Sequence, residues 1–136
     1  NKPKPYLLWD IDNFERLRKL IQKLGLTTTQ IMNLYEMLMA KLEEWEIRKP
    51  PAELLSSGNK EEVEKAKVFE ELVKNAIKSI PLSLEVVEGE TCKGKISRED
   101  FEFLKDSIMS GLFFDFVDLW HTILKKKFRE EGEKDV

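Results

Sequence analysis

The sequence has 136 residues, of which 41% are hydrophobic, including eight Phe and three Trp. This apolar content can fill one core, so the composition excludes an intrinsically disordered chain and indicates a single domain covering residues 1–136. Charged residues make up 36% and the formal net charge is −3, which argues against a free-standing duplex-DNA binder because such proteins are usually basic.

The sequence also bears on the compartment. No apolar run reaches the roughly 18–20 residues that cross a bilayer, and residues 1–5 carry none of the apolar stretch of a secretory signal. The single Cys92 can neither staple the fold nor build a multi-thiolate metal site. We therefore expect a cytoplasmic protein. Gln occurs only at positions 22 and 30, whereas Lys and Glu abound, and this balance favours a thermophilic source.

Hydrophobic periodicity predicts an all-α fold, a compact bundle of about five helices. The expected spans are 13–24, 28–48, 60–80, 98–110 and 112–130. Proposed N-caps are Asp12, Thr27, Asn59 and Ser97, the first three followed by Glu or Gln at capping-box spacing. Gly25 is expected just after the first helix, and Gly111 is a break or a tolerated kink between the last two. Residues 51–58 are predicted to be a linker with at most one helical turn.

Residues 82–96 interrupt the helical pattern. Leu82, Leu84 and Val86 alternate with other residues, and Gly89 and Gly94 interrupt the second half of the segment. The segment is therefore predicted to be a short extended loop or hairpin, which must lean on the bundle because an isolated hairpin is only marginally stable.

Two carboxylate patterns are candidate metal sites. Asp10 and Asp12 form a D-x-D pair after an apolar stretch, an arrangement that holds Mg²⁺ at strand ends in other proteins, but no parallel-sheet pattern surrounds it. Asp115, Asp118 and His121 recur at intervals of three, which places them along one helix face. No H-E-x-x-H motif supports a metal there, so a solvated polar face is the favoured interpretation.

Nucleophilic chemistry has little support in the sequence. Cys92 and His121 could in principle act as a nucleophile and its base, but no further residue supports that pair. The six glycines form no phosphate-binding cluster. We expect a protein that is not an enzyme and needs no cofactor.

Basic residues recur on one side of three predicted helices. Such stripes can follow a phosphate backbone without reading bases. The stripes comprise Arg16, Lys19 and Lys23 on the first helix, Lys60, Lys67, Lys74 and Lys78 on the third, and Lys125, Lys126, Lys127 and Arg129 near the end of the last. The alternative is a surface laced with Lys–Glu pairs, since Glu residues lie four positions from several of these lysines.

Two stretches resemble a known family. The family is the small subunit of type III-A CRISPR effector complexes. Its first core helix is resembled by residues 25–36, GLTTTQIMNLYE. Its aromatic-rich final helix is resembled by residues 113–120, FFDFVDLW, together with Ile123-Leu124. The matches cover about a fifth of the chain. Met32 stands where that family usually has Arg, no Ala-Tyr-rich segment is present in the middle helix, and residues 82–96 resemble an insertion.

The resemblance implies a non-catalytic helical bundle that binds guide and target RNA along the backbone, independently of sequence, beside other effector-complex subunits. Base pairing supplies specificity in such complexes. Possible self-association follows from the same resemblance. Two alternatives remain open: a helical accessory domain of a replication or transcription protein that binds DNA or a protein partner, and a protein-interaction module.

Overall fold

The computed structural model describes the backbone of residues 7–79 and 83–120, and the side chains from residue 11 onward within those ranges. The elements, in chain order, are α1 (Leu7–Leu24), α2 (Thr28–Glu44), α3 (Pro51–Leu55), α4 (Lys60–Ser79), β1 (Glu85–Val87), β2 (Lys95–Ser97), α5 (Arg98–Met109) and a helical segment at 112–120, here called α6. The prediction of an all-α bundle with a short extended insertion is confirmed.

Three of the predicted caps are present. The Thr27 hydroxyl accepts the Gln30 N–H at 3.1 Å while the Gln30 side chain accepts the Thr27 N–H at 3.0 Å, which completes a capping box. The Asn59 side chain accepts two N–H groups of the first turn of α4. Ser97 accepts the Asp100 N–H at 3.0 Å and starts α5. Each cap satisfies donors that the helix itself leaves unpaired.

The predicted cap at Asp12 is wrong. α1 already includes Leu7, so Asp12 lies inside the helix rather than at its start. The sequence from Leu7 to Asp12 contains no Gly or Pro, so nothing there interrupts the helix. The other end of α1 is as predicted: Gly25 has φ +69°, and the N–H groups of Gly25 and Leu26 both reach back to Ile21 O.

α2 ends four residues earlier than predicted. Glu46 takes a left-handed conformation, with φ +57°, and Ile47 N–H donates to Leu42 O at 2.8 Å. Together with the bond from Glu46 N–H to Glu43 O at 3.1 Å, this bond forms a Schellman-type end in which Glu46 occupies the position that usually holds Gly. The turn directs Ile47 into the core, where it is 8% exposed. The helix is therefore terminated by this packing, before Pro50 is reached.

The buried side chains of α1, α2, α4, α5 and α6 form one hydrophobic cluster. Its largest fully buried members are Phe69, Phe113, Leu17, Ile31, Leu34, Leu38, Ile77, Ile96, Ile108, Val73 and Val117. α3, predicted as at most one turn, adds Leu54 to the cluster. Burial of each Leu, Ile or Phe contributes roughly 1.5–3 kcal/mol, which makes this cluster the main source of stability.

The inserted segment differs from a simple hairpin. β1 and β2 pair in parallel, with Val86 opposite Ile96. A tight reversal at 92–95, closed by two hydrogen bonds between Cys92 and Lys95, turns the chain so that β2 can run beside β1. Because Ile96 is fully buried, the small sheet is attached to the bundle by its own apolar side chain. The alternation of apolar residues in 82–96 predicted an extended backbone, but it could not show whether the two strands pair in parallel or antiparallel.

Of the two alternatives at Gly111, a break or a kink, the structure shows the break. α5 ends at Met109, Gly111 has φ +92°, and the chain is helical again from 112. A left-handed residue interrupts the helical hydrogen-bond ladder, so 98–120 forms two helices. Within the described residues, none of the helices combines the length and apolarity that crossing a bilayer requires.

An ion cluster around the buried side chain of Lys105 joins α4 to α5. The Lys105 side chain is only 11% exposed, and its Nζ lies 3.0 Å from a Glu70 oxygen and 3.0 Å from a Glu102 oxygen. Burial lowers the pKa of Lys105, but the hydrogen bonds that its ammonium donates to Glu70 and Glu102 outweigh burial and hold that pKa above its ordinary value. The Lys105 ammonium therefore stays charged, because the neighbouring carboxylates accept its hydrogen bonds.

Helices α2 and α6 are joined by a second polar contact. The Tyr35 hydroxyl donates to Asp118 Oδ1 at 2.6 Å. This hydrogen bond, together with partial burial and the negative charges of Asp118, Asp115 and Glu36, raises the pKa of Tyr35 to about 12.

Substitution of Glu46 by Gly should stabilise the protein. Relief of the left-handed conformation should stabilise the folded state by about 1–2 kcal/mol, whereas the greater chain entropy of Gly in the unfolded state should cost about 0.5–1 kcal/mol. We therefore expect the free energy of unfolding to rise by about 0.5 kcal/mol. Gly25→Ala should lose about 1–2 kcal/mol, because φ is +69° and the new Cβ would lie 3.3 Å from Lys93 Cγ. Gly89→Ala, which meets open space, is the control. Urea unfolding measures all three; a loss on Glu46→Gly would contradict the assigned turn.

Ultraviolet titration should detect the Tyr35 hydrogen bond. The folded-state pKa is raised from 10.0 to about 12, so the contact adds stability below pH 10 and loses it as the pH rises toward 12. We expect one late tyrosinate transition, absent in Tyr35→Phe and moved toward pH 10 in Asp118→Ala. An unchanged transition in Asp118→Ala would rule out this contact as its cause.

Candidate nucleic-acid interface

The basic residues predicted on the first helix share one surface. Arg16, Lys19 and Lys23 line a shallow groove of about 460 Å³ on α1, which we call the basic groove. Their spacing of three and four residues puts them on one side of the helix. All three residues are exposed, whereas Leu17 and Leu24 on the adjacent side of α1 enter the core, and the buried Leu20 also lines the groove. The amphipathic pattern of α1 thus sets the orientation of the groove.

Arg16 is the most constrained of these cations. Its guanidinium carbon lies 4.1 Å from the centre of the Phe103 ring, and one of its nitrogens is 3.8 Å from an Asp100 oxygen. The stacking on the ring limits the rotamers of Arg16, and the ring face attracts the cation. Arg16 therefore presents a partly fixed guanidinium at the boundary between α1 and α5.

Asp100 connects three parts of the chain at this boundary. Its carboxylate accepts the Thr91 hydroxyl, and Thr91 Oγ1 in turn accepts the Ser97 N–H at 2.9 Å. Asp100 also donates its own N–H to the Ser97 cap. Thr91 is 8% exposed. The network fixes the inserted segment against the first turn of α5 and places it beside Arg16 on α1.

The balance of charge in the basic groove favours an anion. Asp12, Glu15 and Asp100 also line it. Glu15 is paired with Arg18, whose hydrogen bond lowers the pKa of the Glu15 carboxyl, and Asp100 faces Arg16. Lys19 and Lys23 are exposed and form no ion pair with a described residue. The lining itself holds three cations and three carboxylates, but Glu15 is engaged by Arg18 just outside the lining, which leaves an excess of one positive charge at this surface.

Sequence reasoning missed Lys93. This residue lies against Gly25, at the end of the same helix, with its Cγ 3.3 Å from the position of a Gly25 Cβ. The inserted segment thus places a lysine at the end of α1, although Lys93 is not among the residues that line the basic groove. We predicted that residues 82–96 pack against the bundle, which is consistent with such a contact. The sequence did not reveal that the contact is made with the end of α1.

The stripe on α4 is less available than the sequence indicated. Lys67 is exposed, whereas Lys74 is half-buried and 3.5 Å from a Glu71 oxygen. Lys78 Nζ lies 5.7 Å from the centre of the Phe101 ring. The alternative of a surface with Lys–Glu pairs is therefore realised at Lys74, although through Glu71 rather than the predicted partner four residues away.

The third basic cluster lies outside the described residues. The residues concerned all fall between positions 121 and 136: Lys125, Lys126, Lys127 and Arg129, together with His121. Their proposed roles stay predictions.

The candidate metal sites gain no support from the geometry. Asp10 and Asp12 stand two positions apart within α1, a spacing that does not place two side chains on one helix face. Asp118 accepts a hydrogen bond from Tyr35. Among the described residues, no group of three or more His, Cys, Asp or Glu side chains is arranged to hold a metal ion.

Removal of the Asp100 carboxylate should loosen the inserted segment. We expect Asp100→Ala to lower the free energy of unfolding by about 1–2 kcal/mol, because the buried Thr91 hydroxyl loses its acceptor. Glu99→Ala, an exposed neighbour in the same helical turn, should change it by less than about 0.5 kcal/mol. Equal effects in thermal unfolding would show that Asp100 does not hold the segment.

Comparison with known proteins assigns the chain to no family, since no family model matches it and neither a curated protein nor a solved structure is significantly similar.

Proposed function

We propose that this chain is a non-catalytic helical subunit that binds the phosphate backbone of single-stranded RNA through the basic groove. The observation that carries the proposal is the alignment of Arg16, Lys19 and Lys23 along one groove, with both lysines unpaired among the described residues. Arg16 adds a stacked guanidinium, a group well matched to phosphate.

The proposed mode of binding is independent of base sequence. Lysines and a partly fixed arginine contact phosphates, and such contacts carry no direct sequence information. The net charge of −3 implies that this contact alone is weak. A weak backbone contact is useful where a neighbouring molecule supplies most of the affinity and the specificity.

The resemblance of residues 25–36 and 113–120 to the small subunit of type III-A CRISPR effector complexes supports RNA as the ligand. The proposed setting is therefore a cytoplasmic RNA-guided complex, in which base pairing reads the sequence. The chain's partners would be guide and target RNA and the larger subunits. The groove's chemistry does not by itself distinguish RNA from DNA, so the test includes both.

Charge reversal in the basic groove should weaken binding to a fluorescent poly-uridine RNA. We expect Lys19→Glu/Lys23→Glu to lower affinity about tenfold at low salt, and to reduce the slope of log affinity against log salt by about 0.7 for each phosphate that the variant no longer neutralises. Asp100→Asn should act in the opposite direction and raise affinity roughly two- to threefold, because it removes a carboxylate from the same groove.

The matched control is Lys49→Glu/Lys65→Glu, which makes the same change in net charge at exposed positions outside the basic groove. An equal loss of RNA affinity in both double variants would show that the effect comes from net charge alone. That result would contradict the proposed site. Lys67→Glu/Lys74→Glu/Lys78→Glu measures the contribution of α4, which should be smaller per residue. A preference for duplex DNA over RNA would favour the accessory-domain alternative.

A further inference from the structure

A second groove lies on α2, and its chemistry is opposite to that of the basic groove. It has a volume of about 720 Å³ and follows α2 into the turn at 46–48. The side chains of Tyr35, Met39, Leu42 and Ile47 form its apolar floor. We call it the acidic groove because of the residues along its edge.

The edge of the acidic groove is formed by Glu36, Glu43 and Glu46. All three are exposed and none forms an ion pair with a described residue. Arg48 is the single cation among the described lining residues. Asp118, which accepts the hydrogen bond of the Tyr35 hydroxyl, lies at one end of the groove.

The floor is accessible to a partner. Met39 is 41% exposed, although Tyr35 and Leu42 on either side of it pack against the core. An exposed Met between half-buried apolar side chains is an adaptable contact surface, because its unbranched thioether can fit differently shaped partners. The other large exposed hydrophobic side chains among the described residues are Ile11, Val68 and Leu119, and none of them lines this groove.

The shape and charge of the groove together point to one kind of occupant. From residue 35 to residue 44, α2 extends roughly 14 Å, which matches two to three turns of a bound helix. A helix that lies in an apolar groove anchors itself by side chains at intervals of three and four residues. The acidic edge favours lysine and arginine on the flanks of that helix and disfavours acidic segments.

We propose that the acidic groove docks a basic amphipathic helix of a partner protein, with its apolar residues on Met39 and its cations against Glu36 and Glu43. This protein contact uses a different surface from the RNA contact, so either can exist without the other.

The proposal can be tested with a fluorescein-labelled synthetic helix that carries leucines on one face and lysines on the other. Anisotropy titration of the full chain should give saturable binding, and Glu36→Lys/Glu43→Lys should weaken it roughly tenfold. Met39→Asp should weaken it by a similar factor. Since these side chains are exposed, the variants should keep the wild-type circular dichroism spectrum. A peptide in which Glu replaces every Lys should not bind.

The matched control is Glu64→Lys/Glu90→Lys, with the same change in net charge at exposed positions outside the groove. It should leave peptide affinity within about twofold of wild type. Equal weakening by both double variants, or equal binding of the acidic peptide, would overturn the proposal.

A photocrosslinker at position 39, in a Cys92→Ser background, identifies the occupant. Crosslinking to the added basic helix supports the proposal. Crosslinking to residues 121–136 of the same chain, or to a second copy, even when the peptide is present in excess, would overturn it because the groove would then serve the protein itself.

Discussion

The Asp100 carboxylate is the constraint on which the proposed interface depends. It holds the inserted segment through Thr91, lies in the first turn of α5 under the Ser97 cap, and faces Arg16 of α1. Without this contact the inserted segment would retain Ile96 as its apolar anchor and the ion pair of Glu88 with Arg98, but Thr91 would lose its hydrogen bond beside α1. The same carboxylate repels a bound phosphate, so Asp100 lowers the affinity of the groove for an anion while it holds the lining of the groove in place.

The two grooves separate part of the charge of the chain onto two helices. Arg16, Lys19 and Lys23 line the groove on α1, whereas Glu36 and Glu43 line the exposed face of α2. Between these helices lies the apolar cluster shared with α4, α5 and α6. In an amphipathic helix the apolar residues lie on the face that packs into the core, and the charged residues lie on the exposed face. A bundle can in this way present an anion-binding surface and a cation-binding surface without acquiring a large net charge.

Local signals predicted most of the fold and only part of the site. The Thr27 capping box and the break at Gly111 follow from short-range chemistry and were found from the sequence. The parallel pairing of β1 with β2 and the contact of Glu70 with Lys105 join residues ten or more positions apart, and no local pattern determines them. Helical spacing likewise identified the basic groove, but Lys93 reaches α1 through the fold of the inserted segment.

The central claim is that α1 and the segment beside it contact the RNA backbone. Amide chemical-shift mapping, in which a nitrogen-15-labelled chain is titrated with a short poly-uridine RNA, tests this most directly. The account predicts that the largest shifts fall at residues 15–25 and 91–100, and that they weaken as salt is raised. Shifts centred on α2, or an absence of shifts at low salt, would contradict it.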